Sequence, residues 1–274
     1  MGSSPVLRAV VVGLLLTAVS YLPAVAEETR WGTLTGRFVY DGVPPEPPEA
    51  QVVGAVAIPL DESLIVNPKN RGIANIAVFL RVETKELVAL PIHPSYEKQA
   101  EDVVEIAIVG RRFEPRFQLL RKGQTLRVTN KDPEVQNVNI AFTKNPPVNQ
   151  NLEVDDPLDP NDVPGVEQKC TRSERLPVQM KSDIYPWVSG RVLVADTPYM
   201  AWTDANGNFE IKNLPVGEHT FQLWHEELGY VQEIRFGPVE NVTEVEKGRL
   251  KVTIKEGEND LGRLWLSPKL FEKE

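Results

Sequence analysis

Cysteine is almost absent: the 274 residues contain one, Cys170. No intrachain disulfide can form, so any folded state must be held by its core. Histidine is nearly as scarce, at three residues. His219 and His225 are six positions apart on one strand pattern, a Cα separation of roughly 20 Å, too far to share a metal. His93 stands alone beside Pro94. A site built from His225 with Glu226 or Glu227 is weaker than a packing role for His225 where two modules meet. Basic residues are outnumbered, 30 against 39 acidic, for a net charge of −9. With no basic cluster interleaved with aromatics, nucleic acid is excluded as a partner. Gly-x-Ser-x-Gly, His-Glu-x-x-His and phosphate-binding glycine loops are all missing, and Ser182 has no histidine near it in sequence. The expectation is a protein that is not an enzyme.

The first residues read as an export signal. Arg8 gives a positive start, Ala9 to Val19 an apolar stretch, and Ala24-Val25-Ala26 a small-x-small cleavage site. The apolar stretch falls short of the roughly 20 residues of a comfortable membrane span, and no cysteine follows it to carry a lipid. Cleavage after Ala26 gives a periplasmic or secreted protein with no stable membrane anchor; retention of the segment as an anchor is the alternative.

Beyond that segment the apolar residues alternate with period two. Ala74, Ile76, Val78, Leu80 and Val82 line one face of a segment whose other face carries Asn75 and Arg81. Leu126 and Val128 repeat the pattern, as do Val138, Ile140 and Phe142, and Leu250, Val252 and Ile254. Such alternation marks half-buried strands. The separators are turn formers: Asp41-Gly42, Lys122-Gly123, Asn206-Gly207, Pro215-Val216-Gly217 and Glu256-Gly257. Asp204 to Phe209 reads as a tight hairpin around Asn-Gly. It is not a calcium loop, because Pro215 stands where the distal glutamate belongs. Asp155, Asp156, Asp159 and Asp162 read as a solvated acidic loop. Pro44 to Ala50 and Thr143 to Arg175 break the rhythm and read as loops, with Cys170 an incidental polar-loop cysteine in the second. A short helix fits Ser95 to Glu101. A junction falls near Asp196.

Several phrases carry a family resemblance. Phe113-Glu114-Pro115-Arg116 leads to Gly123-Gln124-Thr125-Leu126-Arg127-Val128-Thr129-Asn130-Lys131-Asp132-Pro133, then Gln136-Asn137, Asn145-Pro146-Pro147-Val148-Asn149 and Ser182 to Val188. These resemble exported bacterial cupredoxin-like proteins, plastocyanin-like and sometimes labelled "methylamine utilisation". Asp196-Thr197-Pro198-Tyr199, Leu214 to Gly217, Trp224-His225-Glu226 and Gly257 to Gly262 are similar to a carboxypeptidase-regulatory-like or transthyretin-like module. The resemblance implies an all-β chain: a signal peptide at 1–26, a cupredoxin-like Greek-key β-sandwich at 27–195 and a small transthyretin-like β-sandwich at 196–274.

The same resemblance implies a type 1 copper site, whose ligands are a cysteine thiolate, two histidines and a weak axial methionine. In this chain the four positions read Gln136 for the first His, Ser182 for Cys, Tyr185 for the second His and Val188 for Met. Pro115-Arg116 also departs from a frequent Pro-His. The expected function is therefore a non-catalytic binding or assembly module without copper or other cofactor. Its candidate pocket is Gln136, Ser182, Tyr185, Trp187 and Val188, with Gln136, Ser182 and Tyr185 hydrogen-bonded to one another. The partner is an exported protein or a small ligand. The alternative is electron transfer or copper handling, as in copper-binding family members.

Overall fold

The computed structural model describes residues 2, 29–46, 50–53, 56–59, 61–82, 90–154, 165–237 and 242–272. The export signal read at 1–26 falls, apart from Gly2, outside them. The architecture is all-β, in two sandwiches side by side, with one α-helical turn among the described residues, at Pro94–Glu97.

One sandwich is built only from residues 103–195. Its first sheet joins Val103–Ile108, Phe113–Glu114, Thr125–Asn130 and Val166–Lys169; its second joins Phe117–Arg121, Gln136–Ile140, Val148–Leu152, Val178–Lys181 and Ser189–Ala195. The period-two residues face each other across the two sheets. Ile106, Ile108, Leu126 and Val128 meet Val138, Ile140, Val192 and Val194, all within 1% of full burial.

The other sandwich takes strands from both ends of the chain. Trp31–Tyr40 lies between Asn208–Pro215, antiparallel, and Gly257–Leu266, parallel. Ala77–Arg81 lies between Met200–Trp202 and Gly217–His225 in the facing sheet. Leu34, Phe38, Ile73, Ile76 and Val78 share one core with Ile211, Phe221, Leu223 and Leu264. The cores thus do not divide at 195/196. The first sandwich is inserted between two halves of the second, because the N-terminal strands find their hydrogen-bond partners beyond residue 200.

Ala77–Arg81 is buried on both faces. Val78 and Leu80 enter the core of their own sandwich, whereas Ala77 and Phe79, beside Trp224, pack with Leu193 across the junction. The face expected to be polar is covered by the other sandwich. Its apolar contact is flanked by ion pairs from one sandwich to the other. Arg116 and Arg191 both reach Glu226, at 2.9 and 3.0 Å, and Arg112 reaches Glu62 at 2.9 Å. His225 is fully buried beside this contact, its ring edge-on to Phe271 at 5.5 Å, in the packing role read from the sequence.

Three local expectations change. The Asp204–Gly207 turn forms, with Asp204 Oδ1 accepting from the Asn206 and Asn208 amides, but its flanking strands enter different sheets rather than a hairpin. The stretch from Thr143 to Arg175 contains two strands, Val148–Leu152 and Val166–Lys169. Of the acidic loop between them, residues 155–164 lie outside the described residues. Cys170 is no polar-loop residue: it is fully buried in the first core, and burial, helped by the charge of Glu174, pushes its thiol up to about 11.

Candidate functional site

The strand Gln136–Ile140 and the loop after Val178–Lys181 meet at one end of the first sandwich. Antiparallel pairing of Met180 with Ile140 and Lys181 with Asn139 carries the chain toward Gln136 as it leaves the sheet. Asp183 continues the approach, its amide donating to Asn137 Oδ1 at 2.9 Å. The loop then turns tightly. Ser182 N donates to the Val188 carbonyl and Val188 N to the Tyr185 carbonyl, each at 2.9 Å.

Each candidate residue has a definite place in this frame. Gln136 is fully buried, and its Nε2 donates to Asp132 Oδ2 at 2.9 Å. Ser182 is 2% exposed, and its Oγ accepts from the amides of Ile184 and Tyr185 at 3.2 and 3.1 Å. This hydroxyl caps a turn, as serine commonly does through short-range backbone bonds. The Tyr185 hydroxyl donates to Glu134 Oε2 at 2.9 Å, and its ring lies 5.5 Å from that of Trp187. Val188, 1% exposed, belongs to the hydrophobic core.

Gln136 makes no hydrogen bond with Ser182 or Tyr185, contrary to the expectation from the sequence, and Ser182 meets Tyr185 only through the Tyr185 backbone amide. Gln136 and Tyr185 are joined through Asp132, Arg111 and Glu134. Asp132 accepts from Gly110 N at 2.6 Å and from Arg111 N at 2.7 Å, besides Gln136. The Arg111 guanidinium holds both oxygens of Glu134 at 2.7 Å and lies over the Tyr185 ring at 5.2 Å. The Glu134 carboxyl is consequently held below its usual range, first by Arg111 and then by Tyr185. The hydrogen bond to Glu134, then burial, in turn raises the Tyr185 phenol. Asn130 anchors the connection from beneath, donating to the carbonyls of Glu134, Leu152 and Glu153 at 2.8–3.2 Å. The Asn130-Lys131-Asp132 phrase was visible in sequence; the partnership of Arg111 with Glu134 was not, since nothing local joins positions 23 apart.

The donor set does not suit type 1 copper. The donors here are an amide, a hydroxyl and a phenol, whereas such a centre is built on a thiolate and imidazoles. Among the described residues no cluster of three or more His, Cys, Asp or Glu is placed to hold a metal ion. The candidate pocket itself divides. Gln136 and Ser182 are packed away, whereas Trp187 and Val188 also face a cavity of about 290 Å³ on the side of the second sandwich.

No family model matches the chain, and no curated protein does. Among solved structures it is similar to amicyanin. A methionine-to-alanine variant in the Cu(I) form and a reduced tryptophan-to-tyrosine variant each show 13% identity, over 34% of this chain and 81% of theirs, at a TM-score of 0.28. An oxidized proline-to-alanine variant shows 14% identity over 35% and 83%, at 0.26. At those scores the reading of the site rests on this chain's own residues.

Proposed function

We propose that this is an exported, non-catalytic binding or assembly protein. Its first sandwich is cupredoxin-like, and its four copper-ligand positions have been converted into a structural plug. One observation carries the reading: Ser182, at the position of the thiolate, spends its oxygen on two backbone amides within its own loop. Asp132 engages Gln136 in the same way, Glu134 engages Tyr185, and the apolar core absorbs Val188. A hydroxyl capping a turn stabilises the loop without leaving a donor directed at a central ion. What remains for function is the external surface and the junction with the second sandwich.

The test is metal loading of the purified full chain. Incubation with copper(II), followed by removal of excess, is expected to leave less than stoichiometric metal and no intense visible band. A stoichiometric coloured species would overturn the proposal. The positional assignment has its own test: Gln136→His, Ser182→Cys, Tyr185→His and Val188→Met combined are expected to produce a coloured copper protein. A folded quadruple variant that stays colourless with copper would remove the assignment.

A further inference from the structure

Buried polar atoms without hydrogen-bond partners gather at the junction of the two sandwiches. Among the described residues, Arg116 Nε, Arg191 Nε and Trp187 Nε1 are donors of this kind. Native proteins leave few such groups unsatisfied, and a group of them calls for an explanation such as a bound ion. The charges here are also unequal. Arg116 and Arg191 share one carboxylate, that of Glu226, with side-chain exposures of 16%, 17% and 9%. Two guanidinium groups against one carboxylate leave an excess positive charge in a partly desolvated place, within a chain of net charge −9.

Arg116 is the looser member. Its Nη1 stands 2.9 Å from Glu226 Oε2, yet neither atom has a well-aligned hydrogen bond. Its Nη2 makes only a 3.3 Å contact with Ser189 Oγ, while its guanidinium rests 4.8 Å from the Phe117 ring. Arg116, Trp187 and Ser189 line the 290 Å³ cavity together with apolar Phe113, Val188 and Ala74. The carboxylates on its wall are mostly committed. Glu62 is paired with Arg112 at 2.9 Å, and Asp204 accepts from Asn206 and Asn208. Glu114 is the exception, and it is exposed.

We infer that this cavity is a binding site for a small organic monoanion, a carboxylate carried on a short apolar body. The carboxylate takes a charge-assisted bond from Arg116, which turns from its unaligned contact with Glu226, while Arg191 keeps that carboxylate paired. Planar, two-pronged recognition of this kind is what arginine offers over lysine. The apolar body lies against Phe113, Val188 and the face of Trp187. A cationic ligand fits less well beside Arg116, because Glu62 and Glu226 are already paired with guanidinium groups, while Asp204 and Glu114 lie at the exposed rim. The inference does not depend on the fate of the copper positions: copper loading and anion binding are read separately.

The experiment is calorimetric titration of the full chain with acetate, benzoate, succinate and neutral benzamide at constant ionic strength, with tryptophan fluorescence in parallel. Saturable binding of acetate or benzoate, with benzamide silent, is expected. Arg116→Met, which retains the Arg191–Glu226 pair, is expected to weaken that binding at least about tenfold. Arg116→Lys is expected to fall in between. If the Arg116 variants do not fold, Glu114→Gln at the exposed rim serves in their place and is expected to tighten binding severalfold. The inference is overturned if no carboxylate saturates the native chain, if benzamide binds as well as benzoate, or if affinity is unchanged in folded Arg116→Met or in Glu114→Gln.

Discussion

Glu174 is 4% exposed and accepts from Thr143 N and Oγ1, Lys144 N, and Asn145 N and Nδ2. Burial alone would raise its carboxyl, but the bonds from Thr143, Lys144 and Asn145 together bring it below its usual value. Glu174→Ala would leave that ring of donors facing an apolar void, so a loss of about 3 kcal/mol or more is expected in urea denaturation. Cys170 gives a prediction of a different kind. With its thiol up at about 11, it is expected to ignore a thiol reagent in the native protein at mildly alkaline pH and to react once the protein is unfolded. Rapid modification of the native protein would contradict its burial. The two residues also show what a local reading can miss. Cys170 and Glu174 have polar sequence neighbours, and only the return of the chain against Gly123-Gln124 and Thr143 to Asn145 makes their surroundings enclosed.

Among the elements, Trp31–Tyr40 and the segment at Gly72 both press closely on the Asp204–Gly207 turn. A Cβ on Gly72 would lie 2.0 Å from the Asn206 carbonyl oxygen, and one on Gly207, at φ +80°, 2.2 Å from that of Phe38. Both contacts are with backbone, which cannot rotate aside. Gly72→Ala is therefore expected to destabilise the protein by about 2–4 kcal/mol, read as a lowered melting temperature. Substituting alanine at exposed Gly110, which has open space around its Cβ but a φ of +58°, is expected to cost about 1 kcal/mol. Asn-Gly announced the turn clearly. That its flanking strands would separate into two sheets was not legible, because turn chemistry sets the reversal and not the partner each strand finds.

For the whole molecule, the junction controls how stability depends on acidity. His225 is fully buried, and burial, then the charge of Arg116, push its imidazole down to about 4, against a smaller opposing effect of the Ala74 backbone. The unfolded chain therefore takes up this proton at a higher pH than the folded chain. Stability should fall as pH drops from about 6.5 toward 4, by an amount on the order of 3 kcal/mol. Glu174, lowered in the folded state, adds to the loss at the acid end. Denaturation midpoints across this range should decline, and more shallowly in His225→Gln; equal slopes would show that His225 is not the group responsible. Glu226→Gln should lower stability by about 3–5 kcal/mol, since two guanidinium groups would face each other without their shared carboxylate.

The all-β class was determined by the sequence alone, because period-two alternation and turn-forming residues are local properties that admit few other structures. So was the chemistry absent from Gln136, Ser182, Tyr185 and Val188, since no packing can turn an amide, a hydroxyl, a phenol or an alkyl group into a thiolate. Only the tertiary structure decided that Trp31–Tyr40 pairs in parallel with Gly257–Leu266, more than 200 positions away, so that one sandwich is inserted in the other. It also decided that the second face of Ala77–Arg81 is buried and that Arg116, Arg191 and Glu226 meet. Long-range strand pairing is selected by the burial of whole sheet faces, and that selection leaves no mark on the residues of either strand taken alone.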